Sequence, residues 1–319
     1  MAPGEVIQSV LSPAGAQAQS IHQLWLLLLW VSAAIFTLVL AFVAFALLRG
    51  ARRLTGTISS TPERALSRGV AVAVAMTVVV LLALLVASVQ TGRTVASLHA
   101  ASAVTVAITG HQWWWEIEYE DTVPSRRVVT ANEIHIPIGT PVVFKVTSRD
   151  VIHSFWAPNL QGKRDLIPGY TTAIWLQADA PAIYRGQCAE FCGRQHAKMA
   201  IEVVAQPEAD FEQWLDGQRQ IANPPPDEIA QHGLHVFMSG QCVACHTIRG
   251  TLAHGQLAPD LTHVASRRTI GAGTLSNTRS HLAQWIVNSQ ASKPGNAMPP
   301  NVLADADVLA LVVYLETLR

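Results

Sequence analysis

Two uncharged apolar runs constrain this chain more than any other feature. Residues 24–48 form a run of 25, and residues 70–89 a run of 20, neither holding a charged side chain. About 20 helical residues cross the ~30 Å hydrocarbon core of a bilayer. Only a helix or a closed barrel satisfies its own backbone there, so the runs predict two spanning helices. A buried core helix is the bland alternative, and two such runs without one charge argue against it. The first run is no signal peptide: it is too long, has no basic segment before it, and lacks a well-placed small-residue cleavage site. Half of the 319 residues are hydrophobic and 14% are charged, which fits a membrane-anchored protein with more than one soluble domain. Lys plus Arg and Asp plus Glu balance at 22 each, leaving no electrostatic case for nucleic acid.

The arginines set the orientation. Arg49, Arg52, Arg53, Arg64 and Arg68 lie between the runs against one acid, Glu63, while no Lys or Arg precedes the first run. The positive-inside rule therefore places this loop in the cytoplasm and both termini outside. Everything from about residue 91 onward is expected to be extracytoplasmic.

Beyond that point the pattern becomes β. Residues 103–108, 113–119, 127–129, 133–137, 142–146, 173–176 and 199–204 are short runs rich in Val, Ile, Thr and aromatics, punctuated by Gly, Pro, Asp and Ser. Such spacing suggests a Greek-key sandwich over 91–205. Residues 206–226 contain a short helical stretch at 211–220 and then Pro224-Pro225-Pro226. Consecutive prolines favour extended chain, so this segment reads as a linker. From 227 to 319 the pattern is helical, at about 227–239, 279–289 and 303–318. Residues 1–90 hold the N-terminal segment and the transmembrane hairpin.

The chemistry concentrates in two short motifs. The first is Cys188-Ala-Glu190-Phe-Cys192-Gly-Arg-Gln-His196-Ala-Lys-Met199, with His153 upstream in Asp150-Val-Ile-His153. Soft sulfur donors with imidazole suit copper far better than magnesium or calcium. Two cysteines, two histidines and a methionine exceed the needs of one trigonal copper, and bridging thiolates would make them sufficient for two metals. A disulfide and a tetrahedral zinc site are the alternatives, but neither uses a methionine three residues after the histidine. The loop would join two late strands, with His153 arriving from another strand end, which is a cupredoxin arrangement.

The second motif is Cys242-Val-Ala-Cys245-His246, the attachment signature of c-type haem. Two thiols form thioethers to the porphyrin vinyls, and the adjacent His246 ligates the iron. An adjacent His and no βαβ pattern argue against a thioredoxin-like motif. The expected sixth ligand is Met298 in Asn296-Ala-Met298-Pro-Pro, with Met238 its one rival. Met/His ligation raises the potential and leaves no open site. His22, His99, His111, His135, His232, His235, His254, His263 and His281 read as surface or loop residues.

Taken together, the helix pair, Gly110-His-Gln-Trp113-Trp-Trp-Glu, Asp150-Val-Ile-His153-Ser-Phe-Trp, Lys163-Arg-Asp165-Leu-Ile-Pro168-Gly169 and the cysteine loop resemble subunit II of cytochrome c oxidase. The C-terminal haem motif makes the chain similar to the caa3-type subset. The resemblance implies a multi-domain fold: an N-terminal two-helix transmembrane hairpin, an all-β cupredoxin sandwich and a C-terminal all-α class I cytochrome c domain. It implies binuclear copper A on His153, Cys188, Glu190 through its carbonyl, Cys192, His196 and Met199. It further implies one covalent haem c on Cys242, Cys245, His246 and Met298, oriented through the Pro259 carbonyl. The Glu190 side chain would help bind magnesium at the junction with subunit I, and Trp113 matches the aromatic through which electrons enter. Implied partners are subunit I with haem a, haem a3 or equivalent and copper B, subunit III, and a cytochrome c or cytochrome bc-type donor. The implied role is electron input to oxygen reduction with proton pumping, at the bacterial inner membrane. A copper A subunit of another terminal reductase, such as a nitric oxide reductase, is the alternative. The chain departs from the family's pattern at Tyr170 and Ala131. It also has no clear match for the glutamate at the mouth of a proton channel, Glu63 being the nearest.

Overall fold

The computed structural model describes residues 6–51, 63–97 and 104–319. Two compact units divide it: Gln19–His99 is one, and Met1–Ala18 with Ala100–Arg319 is the other. The first unit consists of helices α1 (Ala16–Ala51) and α2 (Glu63–Ser97). Both are long and apolar enough to cross a membrane. They overrun the apolar runs at each end because flanking Gln, Arg, Leu and Ala are themselves good helix formers. Leu38 and Phe42 are typical in leaving their side chains exposed, as lipid-facing residues do. Arg52, Arg53, His99 and the expected strand start at Ala103 lie outside the described residues.

The sandwich is built from β1 (Val6–Ile7), β2 (Val104–His111), β3 (Trp114–Tyr119), β4 (Val128–Ala131), β5 (Glu133–Pro137) and β6 (Val142–Ser148). It continues with β7 (His153–Trp156), β8 (Arg164–Leu166), β9 (Thr172–Leu176), β10 (Ala182–Cys188) and β11 (Ala200–Gln206). One sheet has the order β4-β3-β2-β6-β9, and the other β5-β11-β10-β7-β8, with β1 parallel to β10. On β2, β3 and β6 every second side chain is buried, the period-2 pattern of a half-buried strand. Trp115, Ile117, Phe144 and Phe155 meet between the sheets. Burying each is worth about 1.5–3 kcal/mol.

Two segments differ from expectation. Residues 6–18 belong to the sandwich rather than to the helix pair: β1 pairs with β10, and Asn159 Nδ2 donates to the Ser12 carbonyl at 2.8 Å. A two-residue strand carries no periodicity to detect. Within the expected linker, Glu208–Arg219 forms helix α3, which places Phe211 and Leu215 in the sandwich core. Its Trp214 stacks on His135 at 4.0 Å, so β5 is covered on both faces and buried throughout. His135 is therefore a buried residue, contrary to the surface reading.

The C-terminal domain holds α4 (Glu228–Ser239), α5 (Cys242–Cys245), α6 (Arg279–Ser292), α7 (Asp305–Thr317) and the hairpin of β12 (Thr269–Ile270) and β13 (Leu275–Ser276). Asp227 caps α4 by accepting from the Ala230 N–H at 2.8 Å. Where α4 crosses α7, a Cβ on Gly233 would sit 2.0 Å from the Ala310 carbonyl oxygen, so only glycine permits the approach. The expected end of the middle helix at 289 falls beside Asn288, whose backbone leaves helical conformation. Phe237, Leu311, Tyr314 and Leu315 form the core. His263 is also buried, correcting the loop reading. Its ring bonds the Arg319 carbonyl at 2.8 Å and the Gln220 carbonyl at 3.0 Å, tying the chain end to the incoming connection. His232, His235 and His254 are exposed, as expected.

Candidate metal centre and haem cavity

β10 ends at Cys188 and β11 begins just after Met199, so the cysteine loop bridges two paired strands. The Cys188 N–H donates to the Met199 carbonyl at 2.9 Å and closes its base. β7 pairs with β10 and brings His153 alongside. The two Sγ atoms lie 3.7 Å apart, far beyond a disulfide bond of about 2.05 Å. Both cysteines are free and buried. His153 Nδ1 is 3.8 Å from Cys188 Sγ, and His196 Nδ1 is 3.6 Å from Cys192 Sγ. Met199 Sδ stands 3.9 Å from Cys192 Sγ, and the Glu190 carbonyl 3.2 Å from Cys188 Sγ. Donor atoms of His153, Cys188 and Cys192 all fall within 4.8 Å of one another. His196 stands against Cys192 outside that trio. Each histidine thus attends a different sulfur, which fits two metals sharing two thiolates.

Electrostatics favours the thiolate form at Cys188 and opposes it at Cys192. The hydrogen bond from Cys192 holds the Cys188 thiol far below its ordinary range, to about 3, with His153 and backbone donors helping against burial. The same contact pushes Cys192 up. One proton shared by two sulfurs marks a pair a cation would complete, since metal binding displaces thiol protons. His153 Nε2 meets Asp150 Oδ1 at 2.8 Å, which fixes the ring and leaves Nδ1 toward the sulfurs. Asp150 Oδ2 also accepts from the Gln112 N–H at 2.7 Å. Sequence reasoning missed this carboxylate, although an acid three residues before a ligating histidine was the available signal. The Glu190 side chain instead pairs with Lys163 Nζ at 3.2 Å.

The C-terminal domain encloses a cavity of about 510 Å³ lined by Cys242, Cys245, His246 and Met298 and by apolar residues such as Leu257 and Ile286. His246 Nδ1 bonds the Pro259 carbonyl at 2.7 Å, as expected, which leaves Nε2 for a metal. Burial pushes its pKa down, and a neutral ring is the ligating form. Met298 is fixed on its loop. Its N–H donates to Asn296 Oδ1 at 2.8 Å, and its carbonyl accepts from Ser289 Oγ and Gln290 Nε2, each at 2.9 Å. Met238 packs with the helical core and does not line the cavity. Size, apolar lining and facing donors fit a c-type haem.

Trp113 connects the two sites. It lines the haem cavity, and its indole N–H donates to the Cys192 carbonyl at 2.9 Å, beside a 2.8 Å bond from Gln112 Nε2 to the same oxygen. The two domains meet along a largely polar seam. The Ala200 N–H donates to the Ala272 carbonyl at 3.0 Å, the Arg268 N–H to Glu133 Oε2 at 2.9 Å, and Arg268 pairs with Glu202 at 3.2 Å.

Comparison with known proteins gives the same division. Residues 122–206 match the family described as "Cytochrome C oxidase subunit II, periplasmic domain", and residues 230–319 match "Cytochrome c". Cytochrome c oxidase subunit 2 of Alkalihalophilus pseudofirmus is 33% identical over 99% of this chain and 92% of its own length. The protein of the same name from Bacillus sp. (strain PS3) is 30% identical over 68% of this chain and 63% of its own. A crystal structure of the periplasmic domain of subunit II of cytochrome oxidase from Bradyrhizobium japonicum aligns at 28% identity. It covers 38% of this chain and 96% of that one, with a TM-score of 0.36.

Proposed function

The chain belongs to the cytochrome c oxidase subunit II family, with a cytochrome c domain fused behind its copper domain, and we propose that it works as a two-stage electron inlet. A binuclear copper A centre and a covalent haem c supply reversible one-electron chemistry when bound. Cys188, Cys192, His153, His196, Met199 and the Glu190 carbonyl would hold the coppers. Cys242 and Cys245 would anchor the haem, and His246 and Met298 would ligate its iron, a donor pair that suits electron transfer.

The helical domain would accept electrons from a cytochrome donor, and the cysteine loop would deliver them to subunit I, where oxygen is reduced and protons are pumped. Subunit III would complete the complex. The exposed loop tip, with Phe191 76% accessible, would face subunit I. A magnesium ion shared there through Glu190 would have to displace Lys163 from its carboxylate. Both soluble domains would stand outside the bacterial inner membrane.

The placement of Trp113 carries the proposal: one indole lines the haem cavity and bonds the carbonyl of a copper-ligating cysteine. Elemental analysis with electron paramagnetic resonance tests it. The purified protein is expected to hold two coppers and one haem per chain, with a mixed-valence copper signal when oxidised. One copper with a type 1 spectrum, or stoichiometric zinc, would defeat it.

A further inference from the structure

Four hydrogen bonds between the two domains and within their seam converge on residues 292–294. Lys198, between His196 and Met199 in the cysteine loop, donates through Nζ to the Ser292 carbonyl at 2.6 Å. Gln195 Nε2 donates to the Pro294 carbonyl, also at 2.6 Å. Reaching the other way, Lys293 Nζ donates to the Trp113 carbonyl at 2.6 Å and to the Gly271 carbonyl at 2.8 Å. The same segment runs on into Met298.

Lys293 is unusual for its type. Only 2% of it is exposed, and it lines the haem cavity beside Trp113 and Gly271. Burying an amine away from water is unfavourable, and that burial pushes its pKa down to about 7. A surface position would avoid this penalty, so the contact it makes needs a reason.

The indole it holds is enclosed by two glycines from different domains. A Cβ on Gly193 of the cysteine loop would stand 3.2 Å from the Trp113 ring, and one on Gly295 would stand 3.8 Å from it. The ring is in van der Waals reach of both domains, so a small shift of either would open a gap on one side. Two hydrogen bonds fix Trp113 along this seam: its indole N–H donates to the Cys192 carbonyl, and its own carbonyl accepts from Lys293.

We propose that Lys293 is a positioning residue for transfer between haem and copper: its side chain ties the Trp113 backbone to the Gly271 turn and keeps the indole seated between Gly193 and Gly295. The step it serves moves one electron from ferrous haem to the oxidised copper pair, with no bond made or broken. The proposal rests on the functional reading above and adds a part to it.

Lys293→Met and Lys293→Arg, made in the full chain assembled with its partner subunits, test it. Haem and copper spectra are recorded first. Hydrogen exchange of segments 110–115 and 269–276 is measured next, then internal electron transfer after flash reduction of the haem. Lys293→Met is expected to keep both spectra, lose protection in both segments, and slow transfer by about tenfold or more, as displacing a group remote from the chemistry does. Lys293→Arg, which keeps the donors, is expected to recover most of the rate and protection. Wild-type kinetics and protection in Lys293→Met would overturn the proposal, as would an arginine variant no better than methionine. If Lys293→Met does not assemble, Lys293→Gln is read by the same criteria. Missing haem or copper spectra in the wild-type chain would defeat the functional reading instead, so the two failures are distinguishable.

Discussion

The cysteine loop and the haem cavity solve the same problem by opposite means. In the loop, five of the donor groups come from twelve consecutive residues, and neighbouring donors stand 3.2–3.9 Å apart. In the helical domain, His246 and Met298 line a cavity of about 510 Å³ whose walls come from α5, α6, α7 and their loops, with Gln112, Trp113, Trp114 and Asn132 of the sandwich along one side. The loop is organised locally by two paired strands, the cavity by the packing of a whole domain and its seam with the sandwich. A local site should therefore fail or survive on single residues, whereas the cavity should tolerate some lining changes but depend on its anchors.

The sharpest way to break this comparison is at the sulfurs. Cys188→Ser or Cys192→Ser is expected to abolish the copper signal while leaving the haem spectrum intact, because the helical core is separate from the sandwich core. Loss of haem as well would mean that the domains fold as one unit. Next in size is the loss of the haem anchors. Cys242→Ala with Cys245→Ala is expected to slow oxidation of a protein donor severely while copper survives. A small reductant that reaches the copper loop directly should then restore much of the oxygen consumption. Equal donor turnover with and without haem would make the helical domain accessory.

A third substitution asks how far the sandwich extends. Phe211 is fully buried in its core from a helix expected to be linker, so Phe211→Ala should destabilise that domain by about 3–5 kcal/mol. Chemical denaturation followed by the copper signal measures this, and a change below about 1 kcal/mol would return the helix to the linker.

Met298→Ala should remove the sulfur–iron absorption band and lower the haem potential, since thioether ligation favours ferrous iron. If Met238→Ala does so instead, the ligand assignment fails.

The smallest effect concerns the seam at low pH. Burial pushes Glu133 up, but the hydrogen bond and charge of His135, the Arg268 N–H and Arg267 outweigh it and hold the carboxyl below its ordinary range. A depressed carboxyl contributes stability above its unfolded pKa and loses it as pH falls through the lower folded value. Docking of the domains should thus loosen only in acid, as pH falls below the ordinary carboxylate range. Glu133→Gln should remove that step in hydrogen exchange of segment 267–272. An unchanged acid transition in the variant would show that Glu133 does not control it.

What could be read from the sequence follows the same division. The cysteine loop and the Cys242–His246 motif are each short runs of neighbouring donors, so residue type and spacing point to their chemistry. Strands β2–β6, β9 and β11 and the three long C-terminal helices are visible as periodicity, whereas β7, β8 and β10 are not among the runs it shows. Less legible were groups whose environment comes from distant chain. His135 looked exposed until Trp214 covered it, His263 until the C-terminus met it, and β1 was too short to show a pattern. Asp150 and Lys293 carry no periodic signal, because their importance lies in what they touch across the fold: His153 and Gln112 for one, the Trp113 and Gly271 carbonyls for the other.

The series arrangement of the two centres is tested most directly by flash reduction of the haem in the intact protein. The haem band and the copper band are followed together. Haem reoxidation and copper reduction are expected to share one rate constant, and Trp113→Ala should slow both equally while the two spectra at rest stay unchanged. Copper reduction with its own rate, independent of the haem and indifferent to Trp113, would contradict the relay.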